Sequence, residues 1–325
     1  YDDDYYEDEY WDEDYDYGPE RSEELEREQR FELFTIPPRL AEEYKLPRDL
    51  PPGVAIMGGT ARSLARRLIT GDTEPIRDLD LVYIPELADL DSPPTAQQLD
   101  ELSARYMPDD YVYDHGIGTE KLERYFETRD FTINQCLIAG DRLLITQAAY
   151  DDFQENIIRP SYDSQQSVDQ PINQRLFIKA LLLQAVFQEC TKSYPMLEDF
   201  CLDDIDEVIA EYDSEYDNYN EEDESEGEDD GIRLYPFNLA LTLNKAMSRG
   251  AEIATNFIRN LVDYDVVDPI YLNEPLKLAR KLRDRCYNFD FRPIDDSIDG
   301  DSLEYQDLYE EFTGLNGYQP HDQAI

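Results

Sequence analysis

The chain has 325 residues, of which 41% are hydrophobic, and a formal net charge of −47. This length and apolar content are enough for one large domain or two ordinary ones. No run approaches 18 consecutive apolar residues, so the sequence predicts no membrane-spanning helix and no membrane partner.

The negative charge is concentrated in two tracts. Residues 1–30 hold 15 acids and three arginines, and residues 198–230 hold 18 acids and no base. Segments of this composition repel themselves and are typical of disordered chain. A free polyanion repels nucleic acid or imitates it, so RNA is disfavoured as a partner by charge. A basic protein is the alternative partner for the acidic arms.

Cysteine and histidine are scarce and carry no metal-binding spacing. The chain has four cysteines, none at C-x-x-C spacing, and two histidines: Cys136, Cys190, Cys201, Cys286, His115 and His321. A structural zinc site and histidine-based catalysis are therefore not predicted. Reduced thiols are typical of an intracellular protein, and the sequence does not distinguish cytoplasm from nucleus.

The chain begins with an acidic, tyrosine-rich segment. We predict a disordered arm over residues 1–30, although SEELEREQRFELF also has the pattern of a short charged helix capped by Ser22. The Pro-rich segment TIPPRLAEEYKLPRDLPPG then leads into a strand, and the final glycine of the segment marks where the strand begins.

Residues 31–160 alternate strand and helix patterns and predict a head domain. VAIM and LDLVYI have the pattern of buried strands, with Gly58-Gly59 as a turn and ARSLARRLIT as a helix between them. TAQQLDELSARYM predicts a helix, YVYD a strand and KLERYFETR a helix. DFTINQCLIAG and DRLLIT predict a strand hairpin that turns at Gly140-Asp141.

Residues 161–300 have a helical period, which predicts a neck and body interrupted by the acidic tract 203–230. An acidic tail follows at 301–325. The predicted fold class is α+β, with a mixed-sheet head followed by an all-helical part and with disordered acidic tracts.

Asp78 and Asp80 are two positions apart, with Leu79 between them, at the start of an apolar strand. Side chains at this spacing lie on one face of a strand, whereas Leu79 and Leu81 point to the other face, into the core. Two adjacent carboxylates repel each other unless a cation lies between them, and Mg²⁺ is commonly held by one or two carboxylates and substrate phosphates. The alternative is an exposed acidic edge on the strand.

Gly58 and Gly59 precede a helix that carries Arg62 one turn later. The absence of side chains lets backbone N–H groups approach a triphosphate at a helix N-terminus, which Arg62 could also reach. The alternative is a tight strand-to-helix turn. Arg66 and Arg67 are expected to be solvated or paired with local acids.

The combination of these elements resembles a known family. A strand, Gly-Gly, Arg, a helix and then D-x-D on the next strand resemble the head of class II nucleotidyltransferases, as in bacterial poly(A) polymerases and CCA-adding enzymes. ETRDFTINQCLI, residues 127–138, resembles the RRDFTIN-type motif of that family, and YDDFQENIIRP resembles the stretch that follows. The resemblance covers residues 53–192. It implies a nucleotidyltransferase-type sheet, NTP as substrate and Mg²⁺ or Mn²⁺ as cofactor.

The resemblance also implies roles for individual residues. Gly58, Gly59 and Arg62 are implied to bind phosphates. Asp78 and Asp80 are implied to hold the metal ion. Arg129, Asp130 and Asn134 are implied to contact the triphosphate and the ribose of the nucleotide. A third catalytic carboxylate is implied beyond the D-x-D pair, and Asp114 and Glu127 are the two candidates.

The sequence departs from the family pattern at several positions. Ser63 replaces the usual Asp, and Thr128 replaces the first Arg of the second motif. The neck carries Arg175 and Lys179 one helical turn apart as its nucleotide-binding candidates, in place of the family's E-D-x-x-R helix. CCA addition is therefore not predicted.

Three functions remain open at this point. The first is a nucleotidyltransferase that adds NMP to an RNA 3′ end and is regulated by its acidic tracts. A basic C-terminal helix with Lys277, Arg280, Lys281, Arg283 and Arg285 offers either an RNA contact or a solvated surface. The second is a transferase that modifies a protein or a small molecule. The third is a catalytically inactive head that acts as an interaction module.

Overall fold

The computed structural model describes residues 19–76, 79–88, 93–108, 112–114, 122–162, 170–200, 231–232 and 236–288. Residues 1–18 and 203–230, where we predicted disorder, and the predicted acidic tail 301–325 lie outside these residues.

The head is built on a six-stranded sheet in the order β1-β6-β5-β2-β3-β4, in which only the β3–β4 pair is parallel. Its strands are β1 (Phe31–Thr35), β2 (Val54–Met57), β3 (Asp80–Tyr83), β4 (Tyr113–Asp114), β5 (Cys136–Ala139) and β6 (Arg142–Thr146). A separate parallel pair consists of β7 (Ile157–Ile158) and β8 (Met196–Leu197).

Both faces of the central strands are covered by other elements. Every residue of β2 is buried: Ile56 packs into the main core on one face, and Ala55 and Met57 pack into a smaller cluster on the other. This arrangement explains why VAIM is a continuous apolar run without polar alternation. The two predicted strands are confirmed, and the chain turns at Gly58, which is already the first residue of the following helix, three residues earlier than predicted.

The described helices are α1 (Pro19–Gln29), α2 (Pro38–Glu43), α3 (Gly58–Ile69), α4 (Ala96–Tyr106), α5 (Leu122–Glu127), α6 (Gln147–Glu155), α7 (Gln170–Thr191), α8 (Pro236–Arg249), α9 (Ala251–Asp263) and α10 (Pro275–Asn288). Short 3₁₀ turns lie at Pro85–Leu87, Thr132–Asn134 and Pro269–Leu272. The predicted helices of the neck and body are present, so the α+β class with a helical second part is confirmed.

The N-terminal elements differ from the prediction. Helix α1 begins at Pro19, before the expected Ser22 cap, and FELF forms strand β1, which pairs with β6. Helix α1 therefore occupies residues that we had assigned to a disordered arm. The cause is a long-range contact: buried Glu28 accepts hydrogen bonds from the Gln135 side chain at 2.9 Å and the Tyr162 N–H at 2.8 Å.

The second motif also differs from the predicted strand. Thr132–Asn134 form a 3₁₀ turn, and the strand begins only at Cys136. The hairpin with its turn at Gly140-Asp141 is confirmed, since β5 and β6 pair antiparallel from Ala139 and Arg142 onward.

One continuous apolar core joins the head to the helical body. It includes Ile56 and Phe131 of the head together with Phe187 of α7 and Leu261 of α9. Helix α9 packs along α7, where the buried Asn260 side chain donates a hydrogen bond to the Leu181 carbonyl at 3.1 Å. Within the described part of the chain, no helix combines the length and apolarity needed to cross a bilayer.

Candidate functional site

The turn between β2 and α3 brings a carboxylate against a helix N-terminus. Gly58, the first residue of α3, has a φ of +67°, and a Cβ there would overlap Oδ2 of Asp80. Asp80 begins β3 and pairs with Met57 across the antiparallel ladder. Glycine is thus required at position 58 by backbone conformation and by space, and Asp80 is held at the start of the helix.

Arg62 lies one turn into α3 and has partners on all three guanidinium nitrogens. Nε is 3.0 Å from Oε1 of Glu74, Nη2 is 3.3 Å from Oε2, and Nη1 donates to Oδ1 of Asn134 at 2.9 Å. The side chains of Arg62 and Glu74 are only 12% and 3% exposed. Burial opposes the charge of Arg62, but attraction to Glu74 outweighs it and raises the guanidinium pKa above its ordinary value.

The hydrogen-bond chain continues from Asn134 to the neck. The Asn134 amide donates to Oδ1 of Asp130 at 2.6 Å, and Lys179 of α7 forms an ion pair with the same carboxylate. Burial alone would raise the pKa of Asp130, but attraction to Lys179 and the bonds from Lys179 and Asn134 hold it below its ordinary value. Residues of the two predicted motifs are therefore joined to the neck helix.

A cleft of about 270 Å³ lies between the head and the body. Its lining residues come from α3, the following loop, β3, α7 and the α8–α9 turn: Gly59, Arg62, Glu74, Pro75, Asp80, Val186, Ser248, Arg249 and Ile253. Three residues that the sequence predicted to bind phosphate or metal thus share one opening. The body closes the opposite side with Arg249 and apolar groups.

The predicted carboxylates are only partly brought together. Asp78 lies outside the described residues, so its place beside Asp80 stays a prediction. Asp114 of β4 pairs with Tyr83 of β3, and Tyr83 lies three residues after Asp80. At the usual rise per residue of a strand, this places Asp114 roughly 10 Å further along the strand direction than Asp80. Glu127 forms an ion pair with Arg124 at 3.3 Å. Glu127 does not line the cleft, and the assignment of a third carboxylate stays open.

Arg129 and Arg175 lie apart from the residues that line the cleft. Arg129 donates to the Tyr125 carbonyl at 3.2 Å, and its guanidinium lies 4.5 Å from the centre of the Tyr125 ring. Burial raises the pKa of that phenol. Arg175 is exposed on α7, whereas Lys179, one turn later, contacts Asp130. The predicted pairing of Arg175 and Lys179 at one nucleotide is not supported by this arrangement.

Ser63 at the family's usual Asp position is explained by its surroundings. It is fully buried, and its hydroxyl donates to the Glu74 carbonyl at 2.9 Å and contacts the Tyr44 hydroxyl at 3.2 Å. A carboxylate at this position would be buried without solvent. It would also lie beside Glu74, which already compensates Arg62.

Three site features were missed by the sequence reasoning. Glu74 was read as loop, and Arg249 was not singled out, because nothing local marks either residue. Arg66, expected to be solvated or paired, is 3% exposed and lies 4.0 Å from the centre of the Phe187 ring, with Asp72 at 3.7 Å as an ion-pair partner. Burial lowers its pKa. The pairing with an acid is confirmed, and the solvation is wrong.

The residues of the cleft are compatible with Mg²⁺. Asp80 offers a partly exposed carboxylate at the cleft wall, and Mg²⁺ is often bound by one or two carboxylates with substrate phosphates and water as further ligands. Among the described residues, no group of three or more His, Cys, Asp or Glu side chains forms a preassembled cage.

No protein-family model and no curated protein matches the chain. Among solved structures, it is similar to a CCA-adding enzyme with CTP, at 16% identity and a TM-score of 0.40, over 92% of this chain and 67% of that chain. It is similar to a CCA-adding enzyme with ATP at 16% identity and 0.44, over 89% and 68%. A Thermotoga maritima CCA-adding enzyme complexed with tRNA matches at 16% identity and 0.43, over 90% and 68%.

Proposed function

We propose that the protein is a metal-dependent nucleotidyltransferase that adds NMP from NTP to an acceptor hydroxyl, with the 3′ end of an RNA as the acceptor. One observation carries the proposal: the Asp80 carboxylate, the Gly58-Gly59 turn and Arg62 meet at a single cleft. A helix N-terminus without side chains suits phosphate, and a carboxylate beside it suits a cation bound to that phosphate.

The reaction needs little covalent chemistry from the protein. The acceptor oxygen attacks the α-phosphorus in line, the bond to the β-phosphate oxygen breaks, pyrophosphate leaves and the hydroxyl proton passes to solvent. Asp80, with Asp78, would hold Mg²⁺. The bound ion would stabilise charge on the phosphate oxygens and activate the hydroxyl. The N–H groups at the start of α3 bind and orient the phosphates, and Glu74 and Asn134 fix Arg62 in the wall of the cleft.

The test is incorporation of each labelled NTP separately, with Mg²⁺ or Mn²⁺ and total cellular RNA as acceptor. Wild type is compared with Asp80→Ala and with the Asp78→Ala/Asp80→Ala double variant. Asp49→Ala is the matched control, because Asp49 is exposed and pairs only with surface groups, Arg105 and Tyr106. We expect label on RNA from wild type and Asp49→Ala and none from either Asp80 variant.

Other outcomes discriminate between the candidates. Label on protein or on a small molecule would replace RNA as the acceptor. No label with any NTP, together with no rise in melting temperature on adding NTP and metal, would overturn the proposal.

The inactive interaction module is favoured by one specific observation. All three guanidinium nitrogens of Arg62 already have protein partners, so this arginine is not poised for phosphate alone. An inactive head would keep such contacts for stability. Nucleotide binding by wild type separates the two functions.

A further inference from the structure

The cleft contains a second arginine, which comes from the helical body. Arg249 is the last residue of α8 and lines the same opening as Gly59, Arg62 and Asp80. Its side chain is half-buried. The chain reverses at Gly250, which has a φ of +127° and donates its N–H to the Met247 carbonyl at 3.1 Å. The tight turn fixes where the last turn of α8 presents its side chains.

The wall that carries Arg249 is rigidly packed. Ile253, at the start of α9, is buried and lines the cleft beside Val186 of α7. The Asn260 side chain, two turns further along α9, is hydrogen-bonded to the α7 backbone. Leu243 and Ala246 of α8 belong to the same buried core as Phe187 of α7, so packing sets the position of the helix that carries Arg249, as a ligand-binding group requires.

The charges of the head side explain why a second cation is needed. Glu74 compensates Arg62 at 3.0 Å, and Asp80 adds a further carboxylate at the cleft. A nucleoside triphosphate brings several more negative charges into the same opening. A guanidinium on the opposite wall would bind phosphate oxygens in a bidentate manner, which suits arginine better than lysine.

We propose that Arg249 is a nucleotide-binding residue, supplied by the helical body, that contacts the phosphates of a nucleoside triphosphate in this cleft. The proposal rests on the proposed nucleotidyltransferase function. It goes beyond that function because it assigns a ligand contact to the body, outside both sequence motifs. The nucleotide is then held between the α3 turn and the α8–α9 turn.

The experiment measures binding of Mg-ATP and of inorganic tripolyphosphate by calorimetry to the full chain. Tripolyphosphate has the phosphates without the base and the ribose. The variants are Arg249→Gln, Arg249→Lys and Arg259→Gln. Arg259 is the matched control, since it is an exposed arginine of α9 that contacts Asn256 at 2.8 Å and does not line the cleft.

We expect Arg249→Gln to weaken both ligands by about 10- to 100-fold, as for the loss of charge-assisted hydrogen bonds. Arg249→Lys keeps the charge but loses the planar fork, so its affinities should fall between those of wild type and Arg249→Gln. Arg259→Gln should bind as wild type.

Two results would overturn the proposal. The first is wild-type affinity of Arg249→Gln for tripolyphosphate; weaker ATP binding by the same variant would then place Arg249 at the base or the ribose. If Arg249→Gln does not fold, the second result is wild-type affinity of Arg249→Lys for tripolyphosphate.

The same data separate this proposal from the proposed function. Tripolyphosphate binding that depends on Arg249, without NMP incorporation, would leave the phosphate contact standing and remove the transferase. A wild-type protein that binds neither ligand would remove both.

Discussion

The ion pair between Arg62 and Glu74 gives a quantitative test of the site. Removing the Glu74 carboxylate by Glu74→Ala leaves a guanidinium that is 12% exposed and that, among the described residues, keeps only its hydrogen bond to the Asn134 oxygen. Removing one member of a buried ion pair typically costs about 3–5 kcal/mol. Native domains are stable by only about 5–15 kcal/mol, so we expect a loss of roughly a fifth or more of the unfolding free energy.

The measurement is urea unfolding followed by circular dichroism, with Glu42→Ala as the control. Glu42 pairs with Arg48 at 3.1 Å, but both side chains are about 70% exposed. A surface pair of this kind is worth roughly 0–1 kcal/mol. The double variant Glu74→Ala/Arg62→Met removes both charges and should recover much of the loss, because no uncompensated charge stays buried.

The burial reasoning would be refuted if Glu74→Ala cost no more than Glu42→Ala. It would also be refuted if the double variant were less stable than Glu74→Ala, since the Arg62 charge would then not be the source of the loss.

Three further predictions concern other parts of the fold. Gly58→Ala should lower the urea midpoint more than Gly71→Ala. Both positions have positive φ, but of the two only position 58 has an atom, Oδ2 of Asp80, that a new Cβ would overlap. Equal decreases in the midpoint would contradict this overlap. Burial raises the pKa of Asp152 to about 6 in the folded protein, so the unfolded chain loses this proton at lower pH than the folded one. The unfolding free energy should therefore fall by roughly 3 kcal/mol as pH rises from about 4 to 6. Asp152→Asn should flatten the urea midpoint over this range, and parallel pH profiles would be the opposite result. Glu28→Ala should cost about 2–4 kcal/mol, since the Gln135 side chain and the Tyr162 N–H lose a buried acceptor; a loss under about 0.5 kcal/mol would mean that α1 is not needed.

The parts of the site that sequence predicts are those in which the signal is local. The β2 run is apolar on both faces, and two glycines follow it before a helical period, so strand, turn and helix can be predicted from the consecutive residues 54–69. The position of Asp80 beside that turn follows once β3 pairs antiparallel with β2. The strand and the helix are confirmed by the structure, whereas the position of Asp80 comes from the pairing of β2 with β3, which the sequence does not predict.

The remaining features depend on contacts between distant segments. Glu74 lies in a polar loop, and only the folded chain places it on Arg62. FELF becomes a strand because β6, more than 100 residues later, offers it an edge, and its own pattern also suits a helix. Arg66 is buried because Phe187 of the neck covers it. No local pattern carries this information.

The shared core determines how the cleft can respond to a ligand. Because Ile56, Phe131, Phe187 and Leu261 belong to one apolar cluster, separating the head from the body would expose that cluster to water. A hinged opening of whole domains is therefore costly. The cleft between the α3 turn and the α8–α9 turn therefore has a fixed width. This width selects ligands by size, in addition to the selection by charge. It also follows that truncation after residue 160 would remove side chains that complete the core of the head. The head is therefore not expected to fold as an independent domain.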